Sequence, residues 1–123
     1  MEILFLGTSA GLPTREHGTS AVAVRCGRSI VLCDCGEGTQ RQMMVSPWSY
    51  MKVDAVLITH LHGDHFFGLP GLVQTMAMNK RTKGLVIRGP EGFTEAFRQL
   101  MVICGDDLTY EVDVADMADG DSL

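Results

Sequence analysis

The stretch VDAVLIT, residues 53–59, is a near-continuous apolar run that leads directly into HLHGDH. An apolar run without alternation suits a strand buried on both faces, which requires further layers above and below it. Three of the chain's four histidines and an aspartate then fall within six positions, His60 to His65. That places the cluster at the carboxyl end of the strand, where ligands collect in α/β sheets. Side chains two apart in an extended segment point the same way, so His60 and His62 share a direction. Gly63 permits a sharp turn, after which Asp64 and His65 approach from another side, near the start of the next helix. The result is two pairs of nitrogen and oxygen donors of the kind Zn²⁺ accepts. A helix N-cap at Asp64 with incidental histidines is the competing reading, and it does not call for three imidazoles at this spacing.

The rest of the chain alternates between strand-like and helix-like patterns. Residues 2–6, EILFL, read as a first strand, and residues 20–26 and 29–35 as two more, joined by a hairpin at Gly27 and Arg28. Residues 37–45 read as a short helix. Leu69, Leu72, Val73 and Met76 fall at i, i+3, i+4 and i+7, which predicts a helix to about Asn79, with Pro70 in its first turn. Residues 84–89 form a strand pattern and 90–103 an amphipathic helix closed by Gly105. Residues 108–114 alternate, with Tyr110, Val112 and Val114 on one face. This order gives an α/β class.

At 123 residues and 46% hydrophobic content, the chain is one globular domain or part of one. The net charge of −5 is concentrated in an acidic tail, residues 106–123, which has seven acidic residues and no basic ones. The remainder is mildly basic, which neither requires nor excludes a polyanionic partner. MEILFLGTSAG lacks a basic n-region and is not a signal peptide. No apolar run approaches the ~20 residues of a membrane helix, so no membrane partner is expected. Cys26, Cys33, Cys35 and Cys104 show no CxxC pairing and read as reduced thiols in a cytoplasmic protein. The methionines at 43, 44, 76 and 78 suit a core or an interface.

The H-x-H-x-D-H spacing after a strand resembles the metallo-β-lactamase superfamily. Three further stretches narrow the likeness: FLGTSAGLPT (5–14), LCDCGEGTQRQM (32–43) and RGPEGFTEAF (88–97). Together they resemble the ribonuclease Z family of tRNA 3′-processing endonucleases. The likeness runs in order through about residue 105. It implies the amino-terminal half of an αββα sandwich, here a partial domain over residues 1–123. It also implies a phosphodiester hydrolase that cuts precursor tRNA at its 3′ end, using a hydroxide held between two Zn²⁺ ions. By position, His60 and His62 would bind the first zinc, and Asp64 and His65 the second. Asp64 would also orient or deprotonate the attacking water. The resemblance gives Asp34 the task of orienting a ligand histidine through its other ring nitrogen.

The departures are equally specific. Members of the family complete their site with later histidines and an aspartate, and no histidine follows His65 here. Two protein ligands per metal fall short of the three that catalytic zinc normally has. The chain alone is therefore expected to be inactive and to need a complementing carboxyl-terminal half. Surfaces left uncovered would favour self-association, as a homodimer. The alternatives are another phosphodiesterase or hydrolase of this fold, or a non-catalytic fragment that acts only with a second chain. The D-C-G-E-G-T turn opens a helix and suits either a phosphate or simple backbone demands. His17 and Gly18 stand where the family usually has Arg-Asn, which removes the basis for an RNA contact there and leaves His17 a solvated loop residue. Lys80, Arg81 and Lys83 form a basic loop, either solvated or touching RNA.

Overall fold

The computed structural model describes residues 1–123. Six strands form one sheet in sequence order: β1 (Glu2–Gly7), β2 (Ala21–Cys26), β3 (Ser29–Cys33), β4 (Val53–Leu57), β5 (Leu85–Gly89) and β6 (Val112–Asp116). Strands β1 to β3 are an antiparallel meander, and its β2–β3 hairpin turns at Gly27 with φ of 61°. From β3 to β6 all pairings are parallel, so each connection crosses over. Helix α1 (Thr39–Val45) and a 3₁₀ turn at Tyr50–Lys52 carry the chain from β3 to β4. Helices α2 (Gly63–Phe66) and α3 (Leu69–Met78) join β4 to β5, and α4 (Phe93–Cys104) joins β5 to β6. No helix is long and apolar enough to cross a membrane.

The two faces of the sheet differ. The register aligns Leu4, Ala23, Leu32, Val56, Ile87 and Val114 in one row across all six strands. Ala23, Leu32, Val56 and Ile87 are fully buried, packed in one cluster with Met43 of α1, Leu72 and Met76 of α3, and Phe93, Phe97 and Met101 of α4. The adjacent row, Ile3, Val24, Val31, Ala55, Val86 and Asp113, points the other way, and none of it belongs to that cluster. On that face Ile3 is 53% and Phe5 70% exposed. Strand β4, expected to be buried on both faces, thus meets helices on one face only; on the other, Ala55 is buried and Leu57 half-buried. An α/β sheet with helices on one side is half of an αββα sandwich.

Several boundaries move from the sequence expectation, each for a local reason. Strand β3 stops at Cys33 because Asp34 adopts φ of 61°. Helix α4 starts at Phe93, after a turn closed by the Phe93 amide on the Pro90 carbonyl at 3.0 Å. The last strand starts at Val112, not at residue 108. The Thr109 hydroxyl donates to the Arg81 carbonyl at 2.6 Å, and the Tyr110 hydroxyl to the Val73 carbonyl at 2.8 Å. These bonds hold the segment against α3 before the ladder begins. Part of the acidic stretch is therefore an edge strand of the sheet.

Arg81 also departs from expectation. It is only 3% exposed. Its guanidinium donates to the carbonyls of Met51, Val53, Lys83 and Gly84 at 2.7–2.9 Å and lies over the Tyr110 ring. Arg81 is a fastener between the starts of β4 and β5, with four of its five N–H donors spent on backbone carbonyls. Lys80 and Lys83 remain exposed.

Candidate metal centre

The backbone sets the site before any side chain enters. The left-handed turn at Asp34 directs its amide to the Leu57 carbonyl at 2.7 Å, tying the end of β3 to that of β4. The Cys35 amide donates to the His65 carbonyl at 2.7 Å, and the Gly68 amide returns a bond to the Cys35 carbonyl at 2.9 Å. The D-C-G stretch and the histidine loop are thereby clamped together. A Cβ on Gly36 would lie 2.1 Å from the Thr19 hydroxyl and 2.6 Å from the Asp64 carbonyl. One on Gly68 would lie 2.1 Å from the Gly36 carbonyl. Glycine is needed at both positions for close backbone approach, which accounts for this turn without any phosphate.

Four donors named from the sequence, His60, His62, Asp64 and His65, come together on this clamp. The His60 ring lies 3.7 Å from that of His65 and 4.8 Å from that of His62, centroid to centroid. Asp34, 5% exposed, accepts from His65 Nδ1 at 2.7 Å. It also accepts from the Thr59 amide at 2.8 Å, the Thr59 hydroxyl at 2.9–3.0 Å and the Ser20 hydroxyl at 3.3 Å. A carboxylate oxygen can only accept, so in the neutral His65 ring the proton sits on Nδ1 and Nε2 is bare. His65 Nε2 faces Asp64 Oδ2 at 3.2 Å, and the Gly11 amide donates to that same oxygen at 3.2 Å. Asp34 thus bonds the Nδ1 of His65, one of the histidines of the motif. Thr59 went unmarked in the sequence; its only signal was a hydroxyl at the strand's carboxyl end, next to the first histidine.

Two electron-rich atoms facing one another at 3.2 Å suit a shared cation. Ligands of a tetrahedral zinc with bonds of 2.0–2.1 Å stand about 3.3 Å apart. His65 with Asp64, and His60 with His62, therefore have the donor chemistry for zinc. They do not close a site, however, because no group of three His, Cys, Asp or Glu side chains is placed to hold one ion. The chain offers these donors in pairs. His17 stands apart, its ring facing the Thr8 hydroxyl at 3.5 Å.

The cysteines do not enlarge the donor set. Burial pushes the Cys35 thiol up to about 12; nearby Asp34 adds to this against a hydrogen bond with Thr39. Burial and Asp34 also raise Cys33. Both thus resist forming the thiolate that soft metals require. All four cysteines are free. Arg15, His17, Glu37 and Arg41 line an open cleft beside the D-C-G-E-G turn, and Thr59, Arg88 and Asp119 line another at the ends of β4 and β5.

Residues 1–101 match the protein family described as Anti-Pycsar protein Apyc1. The chain is 44% identical to Ribonuclease Z of Methanosarcina mazei over 124 aligned residues, covering 98% of this chain and 40% of that protein. Human tRNase Z, short form, superposes with a TM-score of 0.87 at 38% identity, over 97% of this chain and 47% of that one. A metallo-β-lactamase fold protein from Bacillus subtilis superposes with a TM-score of 0.74 at 23% identity, over 98% and 48%, a likeness of fold alone. The chain thus spans about 40% of the length of the curated relative and about half of each solved structure.

Proposed function

Given that the chain belongs to the Anti-Pycsar protein Apyc1 family and has the metallo-β-lactamase fold, we propose that it forms part of a zinc-dependent endoribonuclease cutting precursor tRNA at its 3′ end. The observation that carries this reading is the facing pair of His65 Nε2 and Asp64 Oδ2, with the outer nitrogen of His65 fixed by buried Asp34. The similarity to Ribonuclease Z and to human tRNase Z supports tRNA as the substrate.

Two zinc ions, when bound, would neutralise phosphate oxygens and supply a hydroxide at neutral pH. In this reading His60 and His62 hold one ion, and Asp64 and His65 the other. Asp64 also orients or deprotonates the attacking water, its Oδ2 steadied by the Gly11 amide. Cleavage leaves a 3′-hydroxyl on the tRNA. The remaining donors come from a complementing carboxyl-terminal half, so the 123 residues form a partial domain that is inactive alone. The open apolar face of the sheet supports a covering layer, and in its absence a homodimer. Four free thiols support a reducing, cytoplasmic setting.

A second reading is another phosphodiesterase or hydrolase of the same fold. The match of residues 1–101 to the Anti-Pycsar protein Apyc1 family favours it. Turnover of precursor tRNA and of bis(p-nitrophenyl) phosphate by the assembled enzyme separates the two. Efficient 3′ cleavage of the tRNA is expected; hydrolysis of the small diester with intact tRNA would remove the first reading.

A further inference from the structure

Thr59 Oγ1 has one proton and four polar atoms around it; the farthest is His65 Nδ1 at 3.4 Å, whose own proton goes to Asp34 at 2.7 Å. Asp34 Oδ2 lies at 2.9 Å, Asp34 Oδ1 at 3.0 Å and His60 Nδ1 at 3.0 Å. A hydroxyl donates once and accepts through its lone pairs. The carboxylate is the stronger acceptor, since a charge-assisted bond is roughly twice as strong as a neutral one. The Thr59 proton therefore goes to Asp34, and a lone pair on Thr59 faces His60 Nδ1. That contact is a hydrogen bond only if His60 Nδ1 carries a proton.

We infer that Thr59 is a positioning residue that extends Asp34's hold from His65 to His60, so that one buried carboxylate fixes the tautomers of one histidine from each donor pair. The relay runs from His60 Nδ1–H to the Thr59 oxygen, and from the Thr59 hydroxyl to Asp34. A second branch runs from His65 Nδ1–H directly to Asp34 Oδ2 at 2.7 Å. With the Thr59 amide and hydroxyl on Oδ1 and the Ser20 hydroxyl and His65 Nδ1 on Oδ2, four donors fill the four lone-pair sites of Asp34. Both histidines then have bare Nε2 atoms, the state that metal ligation requires. No hydrogen bond holds the His62 ring in this way. The inference builds on the metal-site reading above but predicts a property of the protein before metal is added.

The test is long-range ¹H–¹⁵N NMR of the imidazole nitrogens in the zinc-free chain, at a pH where the rings are neutral. The expected pattern is Nδ1-protonated, Nε2-bare for both His60 and His65. Thr59→Val, which keeps the shape and loses the hydroxyl, should move the His60 proton toward Nε2 and leave His65 unchanged. Thr59→Ser should restore the original pattern. In the assembled enzyme, Thr59→Val should weaken zinc binding about 10–100-fold, with Thr59→Ser close to the parent. An Nε2-protonated His60 in the unmodified chain overturns the inference, and this needs no variant to fold. An unchanged His60 tautomer in Thr59→Val also overturns it. The expected tautomers together with an assembled enzyme that takes up no zinc would leave this inference standing and sink the functional reading instead.

Discussion

Arg81 and Asp34 are buried charges at opposite ends of the same parallel strands, and their partners differ in kind. At the amino ends, Arg81 spends its donors on the backbone carbonyls of Met51, Val53, Lys83 and Gly84. At the carboxyl ends, Asp34 accepts mainly from the side chains of Ser20, Thr59 and His65, and His65 keeps a second polar atom facing outward. A buried charge satisfied by backbone holds the fold together. A buried charge satisfied by side chains that themselves have a free polar atom holds a site together. Burial alone does not distinguish the two, since they are 3% and 5% exposed.

Replacing each charge should separate the two roles. Arg81→Met should have the largest effect on folding, a loss of about 3 kcal/mol as buried carbonyls lose their donors, read from urea unfolding. Zinc affinity of the assembled enzyme should stay near the parent value; a large fall would place Arg81 in the site. Asp34→Ala should do the reverse, lowering zinc affinity about 10–100-fold, or about 1.4–2.8 kcal/mol, with a smaller loss of folding stability. Unchanged zinc content by metal analysis would remove Asp34 from the site.

A smaller effect is expected beside Arg81. Asp54 accepts from the Ile30 amide at 2.9 Å and from the Lys83 ammonium. Partial desolvation raises its pKa, but these bonds, with the charges of Lys83 and Arg81, outweigh it and leave the carboxyl below its ordinary value. A depressed folded value means the contribution is complete above the unfolded pKa of about 3.9 and disappears as pH falls through the folded value. Unfolding midpoints measured downward from about pH 5 should therefore fall less steeply for Asp54→Asn than for the parent. Identical slopes would mean that Asp54 contributes nothing in acid.

What the sequence made legible follows from how local each feature is. The β2–β3 hairpin and α3 depend on turn residues and on apolar spacing within a dozen positions, and both are where expected. The four donors of His60 to His65 are one contiguous motif and were equally visible. Asp34 was found through its turn and a family resemblance, not through its distance from the motif. The roles of Thr59 and Arg81 are not legible in the sequence, because a threonine at a strand end and an arginine in a basic loop look ordinary until the fold supplies their partners. Residues 108–111 alternate like a strand because Tyr110 does share a side with Val112 and Val114. Yet Thr109 and Tyr110 bond to Arg81 and Val73, and pairing with β5 begins only at the Glu111 carbonyl, which accepts from the Leu85 amide at 3.0 Å. Alternation reports which way side chains point; it does not report which backbone groups pair.

The most direct test of the account is 3′ cleavage of a precursor tRNA by the purified 123-residue chain with zinc, alone and mixed with the complementary part of a Ribonuclease Z relative. The account predicts no cleavage by the chain alone and zinc-dependent cleavage by the mixture, abolished by His65→Ala. Zinc-dependent cleavage by the chain alone, or cleavage by the mixture that survives His65→Ala, would contradict it.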